Sequence, residues 1–258
     1  MQVNLLEEEE AFDPSKEIGK SHIKEGEPDD PEEIILFIRE YDEEIRFGTL
    51  GNFSVIKGRA KSKKTFFLTM IAAAALKNGC LDKIKSRGLE NKEHIFFDTE
   101  QSRNDVKKVR NRVLSLTGDV SKMSFYCLRP YTPKERIEII DYVLKTASNI
   151  GLVIIDGARD LLSDINSQEQ GTELVSKYMK WTELYNIHIA TVIHENKTDG
   201  SARGAIGTEL QNKAELVVSV RKNADDFNTS SVVPEYSRGK DFKEFEFEIG
   251  NSGIPQVK

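Results

Sequence analysis

Short, mostly apolar runs recur from residue 52 to residue 194, and each is followed by a segment of helical character. The runs are NFSVIK (52–57), HIFFDTE (94–100), MSFYCL (123–128), GLVIID (151–156) and IHIATVIH (187–194). A strand that is apolar on both faces must be covered on both, and strands joined through helices run parallel. KTFFLTMIAAAALKNG (64–79) is an alanine-rich helix stopped by Asn78-Gly79. SRNDVKKVRNRVLSLTG (102–118) offers Ser102 as N-cap and closes on a glycine. TPKERIEIIDYVLKTAS (132–148) puts Thr-Pro at the cap and first helical position, and EQGTELVSKYMKWTELYN (169–186) is the fourth helix. The expected fold is α/β, a mainly parallel sheet with helices on both faces. AELVVSVRK (214–222), SSVVPEYS (230–237) and KEFEFEIG (243–250) add antiparallel strands at the C-terminal end.

The flanks read differently. Residues 1–31, with EEEE and EGEPDDPEE, hold too few large apolar side chains to offset the entropy of ordering, and read as a flexible acidic tail. Mimicry of nucleic acid is the alternative use of such a tail. EEIILFIREYDEEI suggests a linker helix over 32–47, leaving 48–258 as one domain. A net charge of −6 argues against a protein that coats nucleic acid uniformly, while leaving room for a local basic face. The start has no basic stretch leading into an apolar one, and no run approaches the length of a membrane span. Cys80 and Cys127 share no ligand spacing and read as buried thiols. These features suggest a cytoplasmic protein without membrane contact.

The chemistry gathers where the apolar runs end. GRAKSKKT (58–65) sits between a strand and a helix and approximates a phosphate-binding loop: Gly58, Lys64 and Thr65 are in register, but Lys63 stands where a second glycine is usual. Such a loop turns backbone amides inward at a helix N-terminus, aims a lysine at the β- and γ-phosphates, and holds Mg²⁺ through a hydroxyl. The candidate cofactor-binding set is Gly58, Arg59, Ala60, Lys61, Ser62, Lys63, Lys64, Thr65 and Phe66. A positive φ at Lys63 would be strained, with Lys61, Lys63 and Lys64 compensating by charge; a right-handed loop is the other possibility.

Asp156 ends GLVIID and would hold Mg²⁺ with Thr65, or else simply ends a core strand. Glu100, with Asp98 in FFDTEQS, is placed to polarise an attacking water, or merely precedes the next helix. His194 would bond the γ-phosphate, unless it is a structural strand-end histidine. Lys197, Arg203 and Lys213 make the following segment basic, as a nucleic-acid contact or a solvated loop.

The ordered set GRAKSKKT, FFDTEQ, LVIIDGARDLL and VIHENKTDGSARGAIG resembles the RecA-like ATPase core, in particular the RepA/DnaB-type helicase branch that includes AAA-domain proteins of mobile elements. The resemblance spans about residues 48 to 250. It implies ATP and Mg²⁺ as ligands and Lys64 and Thr65 as the Walker A pair. It also implies Asp156 as the Walker B carboxylate, Glu100 as catalytic glutamate and His194 as sensor. It further implies a ring of identical subunits acting on single-stranded DNA, with Arg203-Gly204 in the DNA-facing region and Arg238 as the arginine finger. A regulatory protein that binds ATP through a modified loop, with little turnover, is the alternative.

Overall fold

The computed structural model describes residues 13–29, 31–196 and 202–258. Residues 1–32 and 33–258 form two separate units. In the first, helix α1 (Pro14–Ser21) starts at Asp13, whose side chain accepts from the Ser15 amide, so part of the presumed tail has regular structure.

The second unit opens not with the expected helix over 32–47 but with a hairpin, β1 (Ile34–Glu40) and β2 (Glu43–Thr49). Ile35, Leu36, Phe37 and Ile38 are all buried, a continuous run that no single helix face could bury. The β-branched and aromatic content suits a strand, and Tyr41 at positive φ makes the turn. β1 also pairs with β4 (Ile84–Ser86), giving a three-stranded antiparallel sheet.

The remaining strands are β3 (Phe53–Gly58), β5 (Glu93–Asp98), β6 (Met123–Cys127), β7 (Ile150–Asp156), β8 (His188–His194), β9 (Leu216–Lys222), β10 (Thr229–Ser237), β11 (Phe245–Ile249) and β12 (Pro255–Val257). They form one sheet in the order β12-β11-β10-β9-β3-β8-β7-β5-β6. The six strands from β9 to β6 are parallel and the last three in sequence are antiparallel, the mixed sheet that the sequence suggests.

Handedness explains the layers. From β3 through β5 to β6 the chain moves one way across the sheet; from β6 through β7 and β8 to β9 it moves back. Right-handed crossovers then require α2 (Lys64–Leu76) and α3 (Arg103–Thr117) on one face, and α4 (Pro133–Thr146), α5 (Gln168–Tyr185) and α6 (Gly204–Lys213) on the other. The core separates in this way. Ile56, Phe96, Ile154 and Val192 pack with α2, α3 and the small sheet, while Val55, Phe97, Ile155 and Ile193 pack with α4, α5 and α6. Alternate residues of one strand feed opposite cores. α2 is apolar all round because both its sides are covered, and Ser86 on β4 donates its hydroxyl to the Ala74 carbonyl.

The amino ends of the parallel strands are sealed by a polar network. Glu215, 3% exposed, accepts from the Thr49 amide at 2.8 Å and the Thr49 hydroxyl at 2.9 Å. It lies 3.3 Å from His188 Nδ1, and His188 Nε2 meets Ser54 Oγ at 3.0 Å. Arg46 approaches Glu215 at 3.9 Å. Removing one member of a buried charged cluster strands the others, so Glu215→Ala is expected to destabilise folding by about 3–5 kcal/mol in urea unfolding. Lys240→Ala, which breaks an exposed pair with Glu43, should change stability by less than about 0.5 kcal/mol.

Candidate functional site

The carboxyl ends of the central strands finish level with one another: Gly58 is in register with His194, and Asp98 with Asp156. The loop 59–63 leaves β3 at this rim and enters α2 at Lys64. A side chain at Gly58 would put its Cβ 2.5 Å from the Val220 carbonyl oxygen, so only glycine lets the loop leave so close to β9.

Lys64 is 6% exposed, and its ammonium donates to the carbonyls of Gly58 and Arg59, each at 2.9 Å. Burial lowers its pKa, while Asp156, Glu100 and Glu195 favour the charged form. Thr65 donates its hydroxyl to Asp156 Oδ2 at 2.6 Å, tying the first turn of α2 to the end of β7. Burial pushes Asp156 up to about 6, against the opposing pull of Thr65 and Lys64. Asp98 is raised to about 7 by burial and by neighbouring Asp156, although it accepts from the amides of Glu100 and Gln101.

Glu100 projects outward and lies 3.6 Å from His194 Nε2. The neighbouring His194 holds its carboxyl below the ordinary value, with Lys64 and Arg159 adding to the effect. Lys64, Thr65, Asp156, Glu100 and His194 are thus brought to one rim.

Lys63 adopts the left-handed conformation, φ 71° and ψ 28°, as does Lys61 at φ 65°. The usual glycine position therefore keeps a glycine-like backbone with a lysine on it, at a cost of about 1–2 kcal/mol. Its ammonium does not join Lys64; it donates to the Phe227 carbonyl.

Other candidates fall elsewhere. Arg238 follows β10 at the opposite rim, where its amide donates to the Glu215 carbonyl and its guanidinium to that of Lys213. Arg203 caps α6 at the site's rim, whereas Lys213 ends that ten-residue helix, about 15 Å away. The two do not form one basic patch, because α6 runs from one edge of the sheet to the other. Lys197 lies outside the described residues. Cys80 and Cys127 are half-buried thiols rather than buried ones.

A charged cluster beside the loop escaped the sequence reading. Lys57 pairs with Glu235 and, at 3.9 Å, with Glu195, which also accepts from Ser219 Oγ at 2.9 Å. With Arg59, Arg221 and Tyr236 these groups line a cavity of about 950 Å³. The signal was present in Lys57 itself, a charge closing an apolar strand, but its partners lie on strands distant in sequence.

Among the described residues no group of three or more His, Cys, Asp or Glu is arranged to hold a metal, and no helix is long and apolar enough to cross a membrane. No family model matches the sequence, and no curated protein matches it.

The raised carboxyls have a consequence for stability. With folded values of about 7 and about 6 against 3.8, Asp98 and Asp156 keep protons that the unfolded chain releases. The stability this contributes is lost as pH rises through that window. Thermal melts should show a midpoint falling from about pH 5 to about pH 8, and a visibly smaller fall in Asp98→Asn. Equal slopes would mean that Asp98 is already ionised.

Proposed function

We propose that this chain is a RecA-like ATPase that acts with single-stranded DNA as a helicase-like motor or switch, in replication or mobilisation of a genetic element. The convergence of Lys64, Thr65 and Asp156 with the Glu100–His194 pair at one rim carries this reading.

The residues present suit a triphosphate and its metal. Lys64 is buried with its ammonium on two loop carbonyls, a poor substitute for phosphate oxygens, and the Ser62 hydroxyl is buried with no hydrogen-bond partner. The first amides of α2 have no acceptor within the helix and favour an anion. A hydroxyl and one carboxylate are the hard oxygen donors that Mg²⁺ takes beside phosphate and water.

In this reading Lys64 would exchange the carbonyls of Gly58 and Arg59 for phosphate oxygens. Thr65 and the ionised Asp156 would hold the metal, which would neutralise charge on the phosphoryl oxygens. Glu100, already ionised, orients the attacking water and takes its proton. His194 steadies Glu100 and would be the group that senses the terminal phosphate. Arg238, on the far rim, would serve only in trans, as the finger of a neighbouring subunit in a homo-oligomeric ring. Arg203 remains beside the site as the DNA-facing cation.

A regulatory protein that binds ATP with little turnover is the second reading, favoured by the strained lysine in the loop. Steady-state ATPase and nucleotide-binding assays separate the two, with and without single-stranded DNA. For a motor, Lys64→Ala abolishes binding and turnover. Glu100→Gln lowers kcat by about 100-fold or more while ATP binding persists. Wild-type turnover no faster than Lys64→Ala would eliminate the ATPase, and nucleotide binding indifferent to Lys64 would eliminate the site.

A further inference from the structure

We propose that Lys63 is a positioning residue of the nucleotide site: its ammonium, bonded to the Phe227 carbonyl, clamps the phosphate loop to the turn between β9 and β10. The inference rests on the nucleotide-binding reading above and adds to it an element that the loop motif does not contain.

The two adjacent lysines do different work. Lys64 turns inward to the carbonyls of Gly58 and Arg59, while Lys63 reaches across to a residue 164 positions away in sequence. The charge of Lys63 is therefore committed to the turn rather than added to the phosphate cradle. A second tie lies beside it, where Ser230 donates its hydroxyl to the Ser62 carbonyl in a buried contact. At the other end of the loop, only the missing side chain of Gly58 lets the chain leave β3 so near the Val220 carbonyl. The loop is thus held along the β9–β10 side at Ser62 and Lys63.

A clamp needs a fixed anchor, and the turn is braced from within. Asn223 Oδ1 accepts from the amides of Asp225 and Asp226 at 2.9 and 3.1 Å. Asp226 accepts from the Asn228 amide at 2.9 Å and the Thr229 hydroxyl at 2.6 Å. Lys258 reaches both Asp226 and Thr229 from the chain's end. The Phe227 carbonyl is thereby presented at a defined point. Partial burial and nearby Lys222 lower the Lys63 pKa, with Asp226 opposing them.

Glycine at this position would relieve the backbone and supply no clamp. Lysine accepts the strained conformation and secures it from outside the loop. Restoring the usual glycine should accordingly impair the site.

The test compares Lys63→Gly, Lys63→Met and Lys63→Arg with wild type and Lys64→Ala, by ATP binding, steady-state kinetics and amide hydrogen exchange. Lys63→Gly and Lys63→Met are expected to raise the Kd and KM for ATP about 10-fold with kcat within about 2-fold, as for a lost charge-assisted hydrogen bond that shapes the loop. Lys63→Arg, which keeps a donor, should stay within about 3-fold of wild type. Exchange across 223–228 should quicken in the first two variants, a change that a purely local loop effect would not produce.

Lys63→Gly or Lys63→Met binding ATP as well as wild type overturns the clamp, as does an Lys63→Arg loss equal to that of Lys63→Met. Wild-type binding that depends on Lys64 but not on Lys63 overturns this inference alone. A wild type that binds no ATP overturns the nucleotide reading as well.

Discussion

The hydrogen bond from Thr65 to Asp156 is the point on which the site depends. It joins the first turn of a helix on one face of the sheet to the last residue of a central strand, and so fixes the loop 59–63 relative to the carboxylates. Both ends are costly to place there. Asp156 is almost fully buried, and Lys64 beside it is taken out of water onto carbonyl oxygens. The sheet supplies the rigidity to hold such groups, with Ile56, Ile154 and Val192 packed on one face and Val55, Ile155 and Ile193 on the other. The charges at the rim are only partly neutralised by one another. The proposed metal-bound triphosphate would bring anion and cation together to that rim.

Much of this was legible in the sequence because the signals were local. Each apolar run became a strand, Ser102 and Thr132 became caps whose side chains accept from the helix amides, and the carboxylates appeared at strand ends. The hairpin at 34–49 was missed because Glu-rich flanks surround its apolar residues and resemble a helix surface. The second partner of β1, beside β2, is β4, fifty residues downstream. Arg238 and Lys213 lie away from the loop for a related reason. β10 runs antiparallel to its neighbours, so its last residues return to the rim opposite the loop, and α6 carries its two ends to different edges. Strand direction is a tertiary property, and charge content alone cannot tell which edge a residue will reach.

Lys63 illustrates a different limit. Its positive φ was foreseeable from the loop pattern, yet the compensation anticipated for it was electrostatic, three lysines facing one ligand. The chain instead divides them, with one lysine inward and one across to the β9–β10 turn. The departure from the usual pattern is thus accommodated by an element of the C-terminal antiparallel strands. Those strands belong mechanically to the loop, not merely to the sheet edge.

The two rims show why chemical groups in proximity do not make a site. At the amino rim Ser54, His188 and Glu215 follow one another at 3.0 and 3.3 Å, a hydroxyl–imidazole–carboxylate series with the spacing of an acid–base relay. Yet Ser54 and His188 are fully buried, Glu215 is saturated by Thr49, and the face of Gly48 lies against the imidazole, where even a methyl group would clash. No reacting atom can enter, so the series serves only to lock the hairpin to the sheet. At the carboxyl rim Glu100 and His194 are farther apart, at 3.6 Å, and less completely bonded, but Glu100 is largely open to solvent. Looser geometry with access suits chemistry on an arriving ligand, and tighter geometry without access suits stability. The same residue types are assigned opposite roles by which end of the parallel strands they occupy, and the carboxyl end is where an α/β sheet leaves its crevice.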